Sequence, residues 1–337
     1  MSAASPQMGV LALTATLVVG TVGATLWWLK NRSAKYLKVA KVKRIFIYPI
    51  KSIMGLEITT AHCTVEGPVY DLLKDRTMMI VKGDYFVSQR EEPSLALVHM
   101  TYKDGKLTLT ADAMEPLVVD AVDTDASSKP SFMVKVRGNE YKAVQVSPEG
   151  TQWFRKFLKQ DDIRLVRILQ DDENIARGAR GAMPVAFQDS ASFHVCSVES
   201  LKDLNSRKPE GDGVEITERN FRPNFLVEGC DAFAEDHWTR IKLGDAEISF
   251  LERCTRQVYH NRDCHFSCIL TTVNPDTGIQ LREPLKTLRT YRLDRSDIGK
   301  KKYKLHPLFG VRQFLLKDGH VSVGDDVYAV SSAKPLL

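Results

Sequence analysis

Short runs in which apolar and polar positions alternate fill most of the chain beyond residue 42, the period-two signature of half-buried strands. Val42–Tyr48 and Leu56–Val65 read as strands on either side of a Lys51–Gly55 turn. Thr77–Val81, Leu95–Tyr102, Lys106–Ala111, Pro116–Asp120, Phe132–Val136 and Glu140–Val146 continue the series, and Asp104-Gly105 is a hairpin signal between two of them. The period then changes. Over Gly150–Lys159, Trp153, Phe154, Phe157 and Leu158 share one helical face, an aromatic stripe that reads as core. Asp171–Gly181 is polar and rich in Gly and Arg, a linker before a second unit that begins at Met183. There Val198–Leu204 reads as a short helix, with Ser197 to cap it and Glu199 placing negative charge in its first turn. Pro284–Arg292 reads as another helix, opened by proline. Phe225–Glu228, Ile241–Leu243, Ala246–Leu251, Cys268–Val273, Gln313–Leu316 and Val327–Val330 read as strands. Many short strands with few helices predict a mainly β, barrel-like α+β architecture with peripheral helices.

The first 29 residues break this pattern. Val10 to Leu29 is a run of 20 uncharged, mostly apolar residues, about the length that spans a hydrocarbon core of roughly 30 Å as a helix. Trp27 and Trp28 stand at its end, where an interfacial aromatic belt lies, and seven basic residues with no acid follow over 30–44. A cleaved signal peptide carries its basic residues before the apolar run, and Met1–Met8 has none. The reading is an uncleaved signal anchor over 1–29, a basic juxtamembrane stalk over 30–44, and a large domain facing the cytosol. Gly20 and Ala24 offer a weak small-residue contact face between two such helices.

The stalk also explains the charge. The chain as a whole is +5, yet from Ile45 onward 40 basic residues face 42 acidic ones. A slightly acidic body lacks the cationic surface that neutralises phosphates, which excludes a nucleic-acid binder. No Gly-x-Gly-x-x-Gly fingerprint follows a strand, so a nicotinamide dinucleotide is not expected to bind this chain directly. The six cysteines have no framework spacing and are expected to be reduced thiols.

Chemistry concentrates in a few stretches. Cys268-Ile269-Leu270-Thr271-Thr272-Val273 leads into a Pro275-Asp276-Thr277-Gly278 turn. A thiol fixed on a rigid element is a soft-metal ligand candidate, although a lone cysteine is more often a small buried hydrophobe. Tyr48-Pro49-Ile50-Lys51-Ser52 brings a cation and a hydroxyl, and Lys74-Asp75-Arg76 brings a guanidinium. Asp189-Ser190-Ala191-Ser192 supplies small hydroxyl donors, and Asn220-Phe221-Arg222-Pro223-Asn224 an Arg and an Asn beside a rigid proline. Converging in one cleft, such donors would bind a phosphate and a polar heterocycle; scattered, they are surface cations and turn formers.

Together with Pro307-Leu308-Phe309-Gly310, these stretches make the chain similar to the mitochondrial amidoxime-reducing component family. That family comprises membrane-anchored members of the molybdenum cofactor sulfurase C-terminal (MOSC) domain superfamily. The resemblance covers Val42–Val330 in order. It implies a MOSC-type β-barrel domain over 183–332 with an N-terminal β-rich region over 45–170, preceded by one transmembrane helix. It also implies a pterin-linked molybdenum cofactor (Mo-molybdopterin), with Cys268 as the catalytic residue and the ligand to molybdenum. Lys51, Ser52, Arg76, Asp189, Ser190, Arg222, Asn224, Ser267 and Cys268 are the implied cofactor-binding residues. The implied activity is reduction of N-hydroxylated compounds, amidoximes and hydroxylamines among them. Its electrons would come from cytochrome b5 and an NADH-dependent cytochrome b5 reductase, and its location would be the mitochondrial outer membrane.

One departure stands out. In the family a Cys-x-Arg segment runs directly into Cys-Ile-Leu-Thr-Thr; here Cys254-Thr255-Arg256 is followed by 11 residues, 257–267 (QVYHNRDCHFS), before Cys268. If the insert loops out, the site survives, because loop closure grows costly only slowly with length. If not, Thr255 and Arg256 are displaced. The alternative is then a membrane-tethered cofactor-binding module, or an isoform disabled by the insert. Zinc is a lesser reading, since Cys254, His260, Cys264, His265 and Cys268 are five candidate ligands in 15 residues with no finger spacing. A sulfur-handling enzyme with Cys268 as nucleophile is weaker still, because no His or Asp spacing marks an activating partner.

Overall fold

Alternation decides where the sheet begins. In Lys38–Ile47 the apolar Ala40, Val42 and Ile45 turn inward while Lys41 and Lys43 face solvent, so the strand starts at Leu37, inside the basic segment read as stalk. The computed structural model describes residues 35–169, 186–209, 214–256, 259–261, 264–266 and 269–337, with backbone alone for 259–261, 264–266 and 269. The apolar run Val10–Leu29, the linker Asp171–Gly181, Ser267 and Cys268 lie outside the described residues. Among the described residues no helix is long and apolar enough to cross a membrane.

The protein is mainly β, with a few helices and two barrel-like sheets. The larger sheet orders Phe225–Glu228, Phe193–Ser197, Leu308–Lys317, Ala246–Thr255, Trp238–Leu243, Asp326–Ser331, Leu37–Ile47 and Leu56–Ile58. Its first strand also pairs with Leu37–Ile47, Ile45 standing opposite Phe225, which joins the ends. A smaller closed barrel runs through Ser131–Val136, Asn139–Gln145, Ile163–Ile168, Met78–Lys82 and Tyr85–Phe86. Full closure leaves no long unpaired edge. Met79, Val81, Tyr141, Val166 and Phe187 form one core cluster of this smaller barrel. Ile45, Ile47, Phe193, Val195, Phe225, Ile241 and Val311 belong to the large cluster of the main sheet.

The expected helices form for the reasons read from the chain. Ser147 accepts from the Gly150 amide at 2.9 Å to cap Pro148–Leu158, whose Trp153, Phe154 and Leu158 are buried as core. Ser197 caps Val198–Ser206, accepting from the Ser200 amide at 3.1 Å. Leu285–Tyr291 follows Pro284. His99–Lys103 and Lys106–Thr110 pair as the hairpin about Asp104-Gly105.

The strand expected over Cys268–Val273 is corrected. Ile269–Thr272 is a short helical turn, and only Val273 makes an isolated bridge, to Gln280. Its carbonyls find local partners in place of a ladder: Asn220 Nδ2 donates to Thr271 O and Val273 O at 3.2 and 3.4 Å, and Leu281 N donates to Thr272 O at 2.8 Å. Tertiary hydrogen bonding outweighs the β-propensity of Ile and Thr here. The predicted turn does form, with Asn274 Oδ1 accepting from the amides of Asp276 and Thr277 at 2.8 and 3.1 Å. Leu56–Val65 also divides, at Thr59, into Leu56–Ile58 and Thr60–Thr64, and Leu95 lies in a 3-10 turn before its strand begins at His99.

Candidate functional site

Three of the eleven non-glycine residues with left-handed backbone among the described residues stand in the candidate motifs: Ser52 (φ 71°), Arg76 (φ 53°) and Arg222 (φ 58°). Such conformations cost of order 1–3 kcal/mol each and persist where surrounding structure imposes them, often at functional sites. Here the imposing contacts are explicit. Arg76 N donates to Tyr48 O at 2.7 Å, Phe187 N to Arg76 O at 2.9 Å, and Lys51 N to Met78 O at 2.8 Å. Arg222 terminates the Glu218–Phe221 turn, its amide donating to Glu218 O at 2.8 Å. The Tyr48 ring carries both guanidiniums, Arg76 at 4.7 Å and Arg222 at 4.3 Å.

These turns open onto one cleft. Lys51, Ser52, Arg76, Asp189, Ser190, Arg222 and Asn224 all line it, so the four separated motifs converge. Arg90, His194, Cys254, Arg256, Leu270 and Arg312 complete its walls. The space is about 700 Å³ counted out to open solvent, of which about 110 Å³ is enclosed. Six cations (Lys51, Arg76, Arg90, Arg222, Arg256 and Arg312) meet one lining carboxylate, Asp189. Their concentration in a partly dry cleft focuses a positive potential suited to an anion.

The donors divide into committed and open ones. Lys51 Nζ donates to Phe187 O at 2.9 Å and to Asp189 Oδ1 at 2.5 Å. Burial opposes ionisation of Asp189, but Lys51, Arg137 and Arg90 outweigh it and hold the carboxyl well below its ordinary range. Asp75, fully buried, pairs with Arg76 and accepts from Tyr48 N at 2.9 Å and Asn224 Nδ2 at 3.3 Å. The Asn224 side chain also receives His194 N at 3.1 Å, so its amide holds the scaffold together. By contrast, Ser190 Oγ, Arg222 Nη2 and Arg256 Nε are buried without a hydrogen-bond partner among the described residues. Unpaired buried donors cost of order 1–3 kcal/mol each, which an anionic ligand would recover.

Two comparisons bear on this geometry. The family model described as "MOSC N-terminal beta barrel domain" matches residues 39–161, and the "MOSC domain" model matches 182–328. The chain is 38% identical over 309 residues to mitochondrial amidoxime reducing component 2 of Bos taurus, covering 88% of this chain and 85% of the relative. It is 36% identical over 326 residues to component 2 of Macaca fascicularis, covering 93% and 90%. To amidoxime-reducing component 1 of Mus musculus it is 35% identical, covering 96% and 92%. The chain belongs to the mitochondrial amidoxime-reducing component family.

Residues 257–267 stand directly before Cys268, and the flank that precedes them is anchored. Thr255 pairs with Leu308 in the sheet, and Arg256 N donates to Pro307 O at 2.8 Å. Arg256 Nη2 donates to Phe309 O at 2.8 Å and lies 3.0 Å from His194 Nε2. Between the flanks, Tyr259–Asn261 and Cys264–Phe266 pair antiparallel with each other. Within 257–267 the described residues thus pair with each other, while Thr255 and Arg256 are bonded to the 307–309 segment. Sequence reasoning missed His194, Arg90 and Arg312 as cleft residues: none stands in a motif, strand pairing brings in His194 and Arg312, and a turn brings in Arg90. Burial, with Arg256 and Arg312 nearby, holds the His194 pKa well below its ordinary value, so the imidazole is neutral and its Nε2 accepts from Arg256.

Lys51 makes this anion site pH-dependent. Burial, with Asp189 partly compensating, lowers its pKa to about 8 from an ordinary 10.5, so its charge is lost as pH rises through about 8. Sulfate, which keeps its charge over this range, is expected to bind the cofactor-free protein several-fold more weakly at pH 9 than at pH 7, measured by calorimetry. Lys51→Met should flatten that dependence. An unchanged pH profile in the variant would exclude Lys51 as the titrating group. Between about pH 8 and 10.5 the unfolded lysine binds more protons than the folded one, so Lys51's contribution to stability rises with pH across that window.

Proposed function

We propose that this chain is a molybdenum-cofactor-dependent reductase of N-hydroxylated compounds, amidoximes and hydroxylamines, to amidines and amines. One observation carries the reading: in a chain of this family, six cations and three unpaired buried donors line a cleft whose wall includes Leu270, two residues beyond Cys268. The donor set fits a phosphate-bearing pterin. Arg222 and Arg256 would take phosphate oxygens in fork geometry, Lys51 would act as a point charge, and Ser52 and Ser190 would offer hydroxyls. Asp189 would hold Lys51 in place, and Asn224 with Asp75 would fix the angle between Arg76 and the strand carrying His194. Cys268 and Ser267 would meet the metal end, Cys268 as a soft thiolate ligand. When bound, the cofactor would supply two electrons which, with two protons, convert N–OH to N–H and water. The chain's own part is to bind, orient and exclude water.

The proposal extends to the cell. The chain would be held in the mitochondrial outer membrane by residues 1–29, with the β-rich regions 45–170 and 183–332 on the cytosolic side, and would take electrons from cytochrome b5 and its NADH-dependent reductase. The run of 20 uncharged, mostly apolar residues and the basic residues that follow it support the anchor.

A second reading keeps the binding and removes the turnover: a membrane-tethered cofactor module disabled by residues 257–267. It is favoured by the insert's position directly before Cys268. One experiment separates the two. Purified full-length chain and a variant lacking 257–267 are assayed for molybdenum and for benzamidoxime reduction in a reconstituted electron chain. Stoichiometric molybdenum with turnover in the intact chain is expected. Molybdenum without turnover, restored by the deletion, supports the second reading, and no molybdenum in either form rejects both.

A further inference from the structure

A second cavity adjoins the cofactor cleft and is larger, about 1170 Å³ against about 700 Å³ when both are counted out to solvent. The two share Arg222 and Leu270 as a common wall. Tyr48 belongs to the same partition: its ring faces the second cavity while Arg76, stacked on it, faces the cleft. Gly55 makes room for this placement, since a Cβ there would lie 2.4 Å from Tyr48 Cε1. Gln89, which lines the second cavity, donates to Ser52 O at 2.8 Å and so ties its wall to the cleft's.

The two spaces differ in chemistry. The cleft has a large excess of positive charge, as described above. In the second cavity the cations other than the shared Arg222 are paired with carboxylates. Arg44 makes two 2.7 Å bonds to the Glu57 carboxylate and also pairs with Glu218. Arg219 is spent on Asp276 and on Pro275 O, the latter at 2.8 Å. What remains of the wall is mostly apolar and aromatic, with Phe46, Tyr48, Met54, Ala96, Met100 and Val273, and carries Gln89, His99 and the shared Arg222 as its polar groups. Pockets of this kind hold uncharged organic groups and orient them by a few polar contacts, and a methionine adapts to varied shapes.

We infer that the second cavity is the substrate subsite: it takes the uncharged aryl or alkyl body of the N-hydroxylated compound, whose N–O group then reaches the cleft past Leu270 and Arg222. The inference rests on the reductase reading above for the identity of the substrate, and on the cavity alone for the class of group bound. Charge sorts the two ligands, the anionic cofactor to the cationic side and the neutral organic group to the side whose charges are mostly paired.

The test uses full-length Met54→Trp, which fills the cavity at a half-exposed position, and Met54→Ala, which enlarges it. Two readouts are taken. The first is the KM for benzamidoxime relative to that for hydroxylamine, which has no organic body, in molybdenum-loaded protein. The second is calorimetric binding of benzamide, an uncharged aryl probe without an N–O bond, which needs neither metal nor turnover. Met54→Trp is expected to raise the benzamidoxime-to-hydroxylamine KM ratio by about tenfold and to weaken benzamide to a similar degree, while Met54→Ala preserves binding. If no substrate turns over, the reductase reading fails while benzamide binding still decides the subsite. Benzamide affinity and KM ratio unchanged in folded Met54→Trp, or both substrates impaired equally, would overturn the inference.

Discussion

Cys268→Ser is expected to reduce benzamidoxime turnover by more than about a hundredfold, since loss of a supporting contact around a metal already costs ~10–100-fold and loss of the ligand costs more. Serine keeps the size and changes the chemistry. A cysteine ionises near neutral pH when a metal is bound, whereas a serine hydroxyl stays protonated and presents hard oxygen to a metal that favours soft sulfur. The fold should be indifferent to the change. The chain just beyond is pinned by Asn220 at Thr271 O and Val273 O, by Leu281 N at Thr272 O, and by the Asn274 turn. The measurements are turnover, molybdenum content and thermal midpoint on the same preparation. A variant with unaltered turnover, or native cofactor-loaded protein in which the Cys268 thiol alkylates freely, removes this residue from the mechanism.

Gly310→Val should abolish the site from the opposite wall. Gly310 has φ +69°, a region β-branched residues avoid. A Cβ there would stand 2.5 Å from Cys196 Sγ, 2.6 Å from His194 Nε2 and 2.8 Å from Val195 O. Cys196 is fully buried and packs in the cluster with Phe221 and Phe309, so there is little room to yield. Strain and overpacking together are expected to cost about 3–5 kcal/mol, read as a lowered denaturant midpoint. Because His194 and Phe309 are the partners of Arg256, any protein that does fold should also lose molybdenum. Gly310→Ala should show both effects at lower amplitude. A valine variant with native midpoint and native molybdenum content would refute the account of the Pro307-Leu308-Phe309-Gly310 segment as a clamp on Arg256.

Much of the fold was legible wherever a local pattern and its tertiary use agreed. The alternating runs became strands, the aromatic stripe of Pro148–Leu158 became core, and Ser197 capped its helix. Reading failed where long-range partners decided. Ile269–Thr272 looks like a strand by composition and is a helical turn because the Asn220 amide donates to its Thr271 carbonyl. Phe193–Ser197 gave no clear alternation because all five residues are buried, a central strand covered on both faces. Asp297–Tyr303 went unread although Ser296 caps it, because its three consecutive lysines hide an apolar stripe too short to show a period.

For the site the division is similar. Motif by motif, the chain alone named Lys51, Ser52, Arg76, Asp189, Ser190 and Arg222, because cations and hydroxyls beside turns are chemically suggestive and because the family resemblance ordered them. It could not say that Asn224 is committed to the scaffold, that His194 is a neutral acceptor, or that Arg256 is bonded to Phe309 and His194. Nor could it show a cavity of mostly paired charges beside a cationic cleft. Chemical identity is a property of single residues and survives in one dimension. Which donors are already satisfied, and which charges cancel, depends on groups that can stand 174 positions apart, as Arg44 and Glu218 do, and only folding brings those together.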